Sequence, residues 1–428
     1  MRIAVVGGGI VGLTTARALV ADGHEVVLLD AAAGPARGAS AQNGAQLSYG
    51  YVAPLASPAI PAQIPQLLLA RHSPLRLRPG CAPAAWHWCL QFLAACTQQR
   101  ADAATRTLLG LSMQSRQQFE RWRADVPDAR IEHAQQGKLV LYRSEEGLAG
   151  ARRQVALQAG LGPAQEILDA RQCLAREPAL QASAPLAGGV WTPSEAVADC
   201  AKVCATLAGQ LAAGPRYRAL WGHRFLRWDL RGNQVRGLLA EQGGVERAIG
   251  FDACVVAAGA QSAPLVRPLG IALPVQPLKG YSIDVDAAHV ERMPATSLTD
   301  TALKTVFAPL GTGAARRLRV AGFAELVGQD TRIDPRRIAR LLDTVRMLFG
   351  LRGTPADLHP WAGLRPATPT SLPSIGRAPR YANVYVNAGQ GALGFTLAFG
   401  SAQLLAAEVA GRALPGFAAA CRAGLART

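Results

Sequence analysis

The sequence predicts an α/β protein: a discontinuous Rossmann-type domain that binds a dinucleotide, joined to an α+β domain built around an antiparallel sheet. Three observations predict it. Residues 3–12 read Ile-Ala-Val-Val-Gly-Gly-Gly-Ile-Val-Gly, and residues 25–30 read Glu-Val-Val-Leu-Leu-Asp. A second strand, glycine turn and apolar helix occupy 383–411. Residues 278–286, 304–308 and 317–323 alternate between apolar and polar, as antiparallel strands do.

The first segment is a βαβ unit with Gly7, Gly9 and Gly12 in G-x-G-x-x-G spacing. Gly7 allows the tight turn after the strand. Gly9 lets backbone approach a pyrophosphate. Gly12 lets the helix pack on the sheet. Ile10 and Val11 open that helix, whose free N–H groups suit phosphate. Asp30 ends the second strand, where a carboxylate can accept from both ribose hydroxyls. The fingerprint specifies a dinucleotide, and its place at the start of the chain favours FAD over NAD. A buried strand at 251–259 ends in Ala258-Gly259, suited to the ribityl and pyrophosphate region. The turn Gly389-Gln390-Gly391-Ala392-Leu393-Gly394 opens a second helix. Its positive end suits the flavin edge that becomes anionic on reduction.

Between these segments, residues 31–60 read as a loop that could pass the flavin ring. Helices are expected near 84–98, 103–125, 199–213 and 335–350, with a strand at Lys138–Tyr142 and several strands in 215–257. The predicted cofactor domain takes 1–60, 145–265 and 360–428, and the substrate domain 61–144 and 266–359.

Composition narrows the function. Half of the 428 residues are hydrophobic, enough for a large core. The net charge is +16, carried almost wholly by arginine, since only four lysines occur. No basic stripe with interleaved aromatics suggests nucleic acid, so no nucleic-acid partner is expected. Arg71, His72, Arg76 and Arg78 lie beside apolar Leu67–Leu69 and Trp86–Phe92, which suits peripheral contact with an anionic membrane as well as it suits a solvated loop. The eight cysteines include no C-x-x-C pair and no histidines at ligand spacing, so no metal site and no disulfide framework is expected. Cys200 and Cys204 read as small core residues on a helix. No apolar run is read as membrane-spanning, and no cleaved leader fits a strand that starts at Arg2. A cytoplasmic location follows as the expectation, with or without peripheral contact at the inner face of the inner membrane.

The motifs together resemble the bacterial D-amino-acid dehydrogenases of small-subunit type, within the glycine oxidase/D-amino-acid oxidase superfamily of FAD-dependent oxidoreductases. The resemblance runs nearly end to end. It rests on the fingerprint, Ala39-Ser40-Ala41-Gln42-Asn43-Gly44-Ala45-Gln46 leading to Gly50-Tyr51, Pro277-Leu-Lys279-Gly280-Tyr281, Gly322-Phe-Ala-Glu325, Trp361-Ala-Gly363-Leu-Arg365-Pro366 and the final glycine turn. Departures fall around the cofactor: Ala39 for a usual Thr, Gly44-Ala45 for Ala-Gly, Gln390 for a frequent His, and Pro369-Thr-Ser371 for Pro-Asp-Gly. The resemblance implies FAD, with Ser40, Asn43, Gly44, Gln46 and Leu47 on the flavin side and His223 near adenine. It also implies a roof over the active site formed by the antiparallel sheet.

The chemistry sets further requirements. An amino acid with a neutral amine passes a hydride from Cα to flavin, giving an imino acid that water hydrolyses. A fixed cation must hold the carboxylate, and Arg365 is the candidate because a guanidinium grips a carboxylate in a bidentate fork. The superfamily gives this arginine that role. Tyr281 and Tyr51 are candidates to orient the substrate, and Lys279 to pair with substrate or flavin, although a core aromatic and a salt bridge explain Tyr51 and Lys279 as readily. Electrons are expected to pass to a quinone or other respiratory-chain acceptor. An oxygen-using amine oxidase, a D-hydroxyproline or D-proline dehydrogenase, and an RNA-associated or non-catalytic FAD protein stay open beside this reading.

Overall fold

The structure, a computed structural model, describes residues 1–61, 75–77, 83–181, 185–232, 234–422 and 424–427. Of the expected basic cluster, only the backbone of Leu75–Leu77 lies among the described residues; Arg71, His72 and Arg78, with Leu67–Leu69, lie outside them.

A six-stranded sheet forms the cofactor side, in the order Ser374–Arg377, Val384–Ala388, Ala253–Val256, Arg2–Val6, Glu25–Asp30, Tyr217–Trp221. Five of its strands run parallel, and Ser374–Arg377 is antiparallel at one edge. Parallel strands covered on both faces read as unbroken apolar runs, and Ile-Ala-Val-Val is one. Ile3 and Val5 enter one core, Ala4 and Val6 the other. The first core is capped by three helices: Ile10–Ala21, Cys200–Ala212 and Gly394–Val409. Cys200 and Cys204 are buried in it, as small apolar residues.

Gly391–Val409, the 3₁₀ turn with the helix Gly394–Val409 that follows it, is the one helical stretch among the described residues long and apolar enough to cross a membrane, by length and composition, which corrects the reading that no such run exists. Its apolarity has another cause. The helix threads between Ile10–Ala21 and Gln98–Arg123. A side chain at Gly400 would meet the Leu111 carbonyl oxygen at 2.5 Å, and Thr14 donates to the Ala398 carbonyl at 3.2 Å.

The second sheet has the order Trp361–Ala367, Gln276–Asp286, Arg317–Leu326, Thr305–Leu310, Ser297–Asp300, Lys138–Tyr142, Gly188–Thr192, Glu166–Asp169, with Leu75–Leu77 added beside Arg317–Leu326. It is mostly antiparallel; Ser297–Asp300 beside Lys138–Tyr142 is parallel, as is Leu75–Leu77. The sheet therefore takes strands from 166–192 and 361–367, segments expected in the cofactor domain. The chain crosses between units more often than the sequence pattern reveals, because short strands carry no mark of which sheet they join. One face packs under the amphipathic helix Pro335–Phe349, burying Leu341, Val345, Leu348 and Phe349. Asp334 caps that helix by accepting from Arg336 N. The other face looks at the cofactor sheet.

Ion pairs fasten the units at one end. Arg317 meets Glu132 and Asp199 at 2.8 Å each, and Asp284 at 3.2 Å. Asp199 also caps helix Cys200–Ala212. At the helical end, the Phe119 ring lies edge-on to Phe399 at 5.4 Å and beside Trp122 at 5.8 Å. Phe119→Ala should cost about 3–5 kcal/mol through the cavity it leaves. The check is an earlier urea midpoint with flavin content per folded molecule unchanged.

Candidate active site

The glycine turn divides its labour as the sequence suggests. Gly7 has φ +122°, and a Cβ there would stand 2.4 Å from the Ala257 carbonyl oxygen. A Cβ on Gly12 would stand 1.8 Å from the Gly7 carbonyl oxygen. Both glycines are demanded by packing. Gly9 is not: its backbone is extended, and a Cβ would meet only Ser40 Oγ at 3.3 Å. The space in front of Gly9 is left open. Gly9 caps helix Ile10–Ala21 with no side chain, and Ser40 Oγ accepts from Ile10 N at 3.0 Å. Gly7 N, Gly8 N and Ile10 N are engaged within the protein, and the open face at Gly9 is where an anion can approach the helix start.

Asp30 stands beside the turn, accepting from Gly8 N at 2.6 Å and Ala32 N at 2.8 Å. A carboxylate has about four lone-pair sites, so capacity for ribose hydroxyls remains. Ala258 and Gly259 lie against the turn through Ala257, whose N–H bonds Val6 O. Nothing stands within 4 Å of a Cβ built on Gly259 or on Gly391, and both have positive φ. His223 is buried beside Asp30, where its N–H donates to the Asp30 carbonyl and Nδ1 bonds the Trp221 carbonyl at 2.9 Å. Both donors are engaged between strand ends, which gives His223 a structural task.

The loop after Ser40 lies across the free face of the second sheet. Ser282 Oγ donates to Gln42 O at 2.7 Å, and Arg319 donates to Asn43 O at 3.1 Å. Asn43 Oδ1 accepts from Ala45 N. Gly44 sits on Val306, 2.8 Å from where its Cβ would be. Gln46 Nε2 donates to Ser297 Oγ and the Leu298 carbonyl. Leu47 turns inward to the helical core. Strand Trp361–Ala367 packs against both Gly259–Gln261 and Gly391–Leu393, with Ala367 bridged to Gln390. Gln390 is buried and donates to Asn387 Oδ1 at 2.7 Å. Ala392 lies in that 3₁₀ turn, and Leu393 opens helix Gly394–Val409 with no side-chain cap.

Arg365 is on this strand and on the face that looks at the turns. Its register partner is Leu278, so the guanidinium lies over Gly280. A Cβ on Gly280 would stand 2.4 Å from Nη2. Gly280 pairs with Gly363, which is covered in turn by the Trp361 ring. Arg365 Nη1 donates to the Phe323 carbonyl at 2.7 Å, and Phe323 has φ +62° at the bulge that aims this oxygen. Among the described residues no carboxylate pairs with Arg365, and burial pulls its pKa down to about 10. Arg317, Arg319 and Arg337 each meet a carboxylate. Arg365 is a cation with an open fork.

Tyr281 and Lys279 are not brought to it. Alternation along Gln276–Asp286 sends them to the opposite face, under helix Pro335–Phe349. Tyr281 donates to Glu325 at 3.0 Å, and burial with Glu325 raises its pKa. Glu325 also pairs with Arg337 at 2.6 Å. Lys279 donates to the Arg332 carbonyl and stands 5.0 Å from the Tyr281 ring. Their sequence neighbourhood suggested a pocket, but strand parity decides. Tyr51 does lie on the cofactor-facing side, with burial raising its pKa to about 12. Lys138, Trp361 and Ser282 share that side and were missed. Period-two alternation counted from Arg365 identifies Trp361; Lys138 needed the strand order.

Open glycines at two helix starts, an acid at a strand end and a guanidinium that no carboxylate pairs among the described residues fit a two-ended anionic cofactor with a carboxylate ligand beside it. They define a flavin-dependent oxidoreductase site. The family model described as FAD dependent oxidoreductase matches residues 2–408, and the chain belongs to that family. It is 47% identical to D-amino acid dehydrogenase 2 of Ralstonia nicotianae, over 98% of this chain and 99% of that protein. It is 43% identical to D-amino acid dehydrogenase 2 of Pseudomonas aeruginosa, over 96% and 95%. The fold is similar to glycine oxidase from Geobacillus kaustophilus, with TM-score 0.73 at 21% identity, covering 96% and 95% of the two chains.

Contact geometry separates the two glycine roles. Gly9→Val should fold with an unchanged far-ultraviolet spectrum yet purify without flavin. Gly12→Val should fail to give folded protein, because its side chain meets backbone. A yellow, flavin-saturated Gly9→Val protein would move the pyrophosphate elsewhere.

Proposed function

We propose that the chain oxidises D-amino acids to 2-oxo acids and ammonia and passes the electrons to a quinone or similar non-oxygen acceptor. The observation that carries the reading is Arg365: a partly dehydrated guanidinium that no carboxylate among the described residues pairs, on the strand that touches both glycine turns. The names of the two relatives support the D-configuration and the dehydrogenase class.

The residues perform the binding and the orientation. Gly7, Gly9, Gly12 and Asp30 would hold the adenosine diphosphate half, with the phosphates on the open face at Gly9. Ser40, Asn43–Leu47, Gly259 and Gly391–Gly394 would hold the flavin half. Bound FAD supplies an acceptor for two electrons. Arg365 takes the substrate carboxylate in its fork, which fixes Cα relative to the ring and leaves the amine free to lose a proton. The Cα–H bond breaks with its electron pair, the amine becomes an imine, and water displaces ammonia from it. Trp361, stacked on Gly363 beside Arg365, keeps water from the anchored carboxylate.

The acceptor reading draws on the helix Pro83–Ala95. Trp88 faces inward, donating to the Ala367 carbonyl at 3.1 Å, two residues from Arg365. Trp86, Leu90 and Leu93 are exposed on the same helix, at 56%, 65% and 40%. An apolar stripe next in sequence to Arg71–Arg78 suits the interface of an anionic bilayer.

Two measurements test the proposal. Purified protein should reduce a dye acceptor with D-amino acids far faster than with their L-isomers, and Arg365→Leu should retain FAD. Its kcat/KM should fall by about 30-fold or more, the equivalent of roughly 2–5 kcal/mol for a buried charged partner. Arg365→Lys should restore only part, since an ammonium has no fork. Normal kinetics in the leucine variant would place the carboxylate anchor elsewhere. Separately, the protein should co-sediment with anionic vesicles at low salt and be released as the Debye length shrinks to about 10 Å near 0.1 M. Equal partition at both salt levels would remove the membrane reading.

A further inference from the structure

Beside Arg365 and the carboxylate-paired Arg317 and Arg319, the cofactor-facing side of the second sheet holds a further cation, Lys138, for which the chemistry above has no task. Lys138 begins strand Lys138–Tyr142 and is 2% exposed. Its Nζ donates to Gln46 Oε1 at 2.8 Å and to Ser48 Oγ at 2.7 Å. The same Nζ stands 4.5 Å from the centroid of the Tyr51 ring. Two oxygens and a π face thus account for the three protons of the ammonium.

Those three partners belong to one stretch, Gln46–Tyr51. Gln46 is itself anchored across the sheet: Nε2 to Ser297 Oγ and Leu298 O, and Oε1 to Thr299 Oγ1 at 3.3 Å. From strand-side residue Glu195, both carboxylate oxygens take the backbone of the same stretch, Tyr49 N at 2.7 Å and Gly50 N at 2.6 Å. Lys138 and Glu195 do not meet as a direct ion pair within 4 Å. Each holds the stretch separately.

A neutral side chain could tie a loop to a sheet without the desolvation that a buried ammonium suffers. The observed choice is a cation whose every proton reaches the one segment that runs from the flavin-side residues to Tyr51. We propose that Lys138 is a positioning residue for the oxidation: as an ammonium it holds Gln46, Ser48 and the Tyr51 ring in a single arrangement, and loss of one proton leaves an uncharged amine with only two N–H groups, too few to hold all three. This inference rests on the reading of the site as an amino-acid oxidation centre.

The electrostatics give it a pH signature. Burial pulls the Lys138 pKa down and pushes Glu195 up, and each charge partly offsets the other. The other ionisable groups facing this cluster are Tyr51, Tyr142 and Tyr49, all raised by burial, and Arg116, which favours the Glu195 carboxylate. A lysine with a lowered pKa carries its proton below that value and loses it as the pH rises through it. Ordered Gln46–Tyr51 is therefore a property of the acidic side, and turnover should decline on the alkaline side even though deprotonation of the substrate amine favours the oxidation there.

The experiment uses the flavin-loaded enzyme, Lys138→Met and Lys138→Arg. Lys138→Met should keep its flavin and its KM, since Arg365 still anchors the carboxylate, and lose roughly tenfold or more in kcat. Lys138→Arg should hold its charge at every accessible pH, so its alkaline limb should move upward relative to the parent. Without substrate, the visible spectrum of the bound flavin should show a titration step in the parent that both variants lack. If Lys138→Met does not fold, the arginine variant and the substrate-free titration still decide. A parent spectrum without the step, or variants with the parent's alkaline limb, would overturn the assignment. Failure of every D-amino acid to reduce dye would instead strike the functional reading, while the spectral arm would still report on Lys138.

Discussion

Arg365 is half-buried, desolvated enough for its pKa to fall, and no carboxylate among the described residues reaches it. Placing a guanidinium there is costly unless something else supplies the missing charge. The surroundings provide the geometry but not the partner. Gly280 and Gly363 face each other across two strands, so the guanidinium and the Trp361 ring can lie flat on backbone. Phe323 holds a left-handed conformation that turns one carbonyl toward Nη1. One edge of the fork is thereby fixed by a neutral acceptor and the rest is left for an anion. Strain and desolvation that persist in a fold are most often kept by function.

The constraint extends outward. For Arg365 to face the cofactor, its strand must pass both glycine turns, and the two sheets must stay in register across a loop with little regular structure. Residues 42–48 supply that register. Ser282, Arg319, Ser297 and Lys138 each reach across to them from four different strands. Further off, the Arg317 cluster with Glu132, Asp199 and Asp284 clamps the same two units. Those charges are paired, so they stabilise the junction without being available for chemistry. Paired and unpaired arginines on one sheet divide structural work from binding.

Much of this was legible in the chain. The roles of Gly7, Gly9 and Gly12 follow from spacing alone, because each answers a local steric question. The strands at 138–142, 278–286 and 317–323 and the helices at 199–213 and 335–350 follow from periodicity. Arg365 could be chosen because the needed chemistry is specific to a guanidinium and the motif around it resembles a known one. What could not be read was which way residues point when the strand's partner is unknown. Tyr281 and Lys279 stand one residue either side of Gly280, and period two sends them to the far side, where Glu325, Arg332 and Asp330 occupy them. The strands within 166–192, a segment expected in the cofactor domain, join the second sheet, since short strands are identified only by their neighbours. Lys138 was invisible as a site residue because its partners lie about ninety positions away in sequence.

Arg365 and Lys138 share this face with the carboxylate-paired Arg317 and Arg319, yet they behave differently from each other. Arg365 ends in a rigid, planar fork and is given a flat glycine floor, so its unused edge stays oriented with nothing bound. Lys138 ends in a rotatable point charge, and such a group is useful inside a protein only when each proton has a defined destination. Gln46, Ser48 and Tyr51 provide those destinations and saturate it. Substrate could compete for Lys138 only by displacing the loop that forms the flavin-side wall. The choice of arginine at one end of the face and lysine at the other therefore follows from what each must leave free: one an open valence for a ligand, the other none.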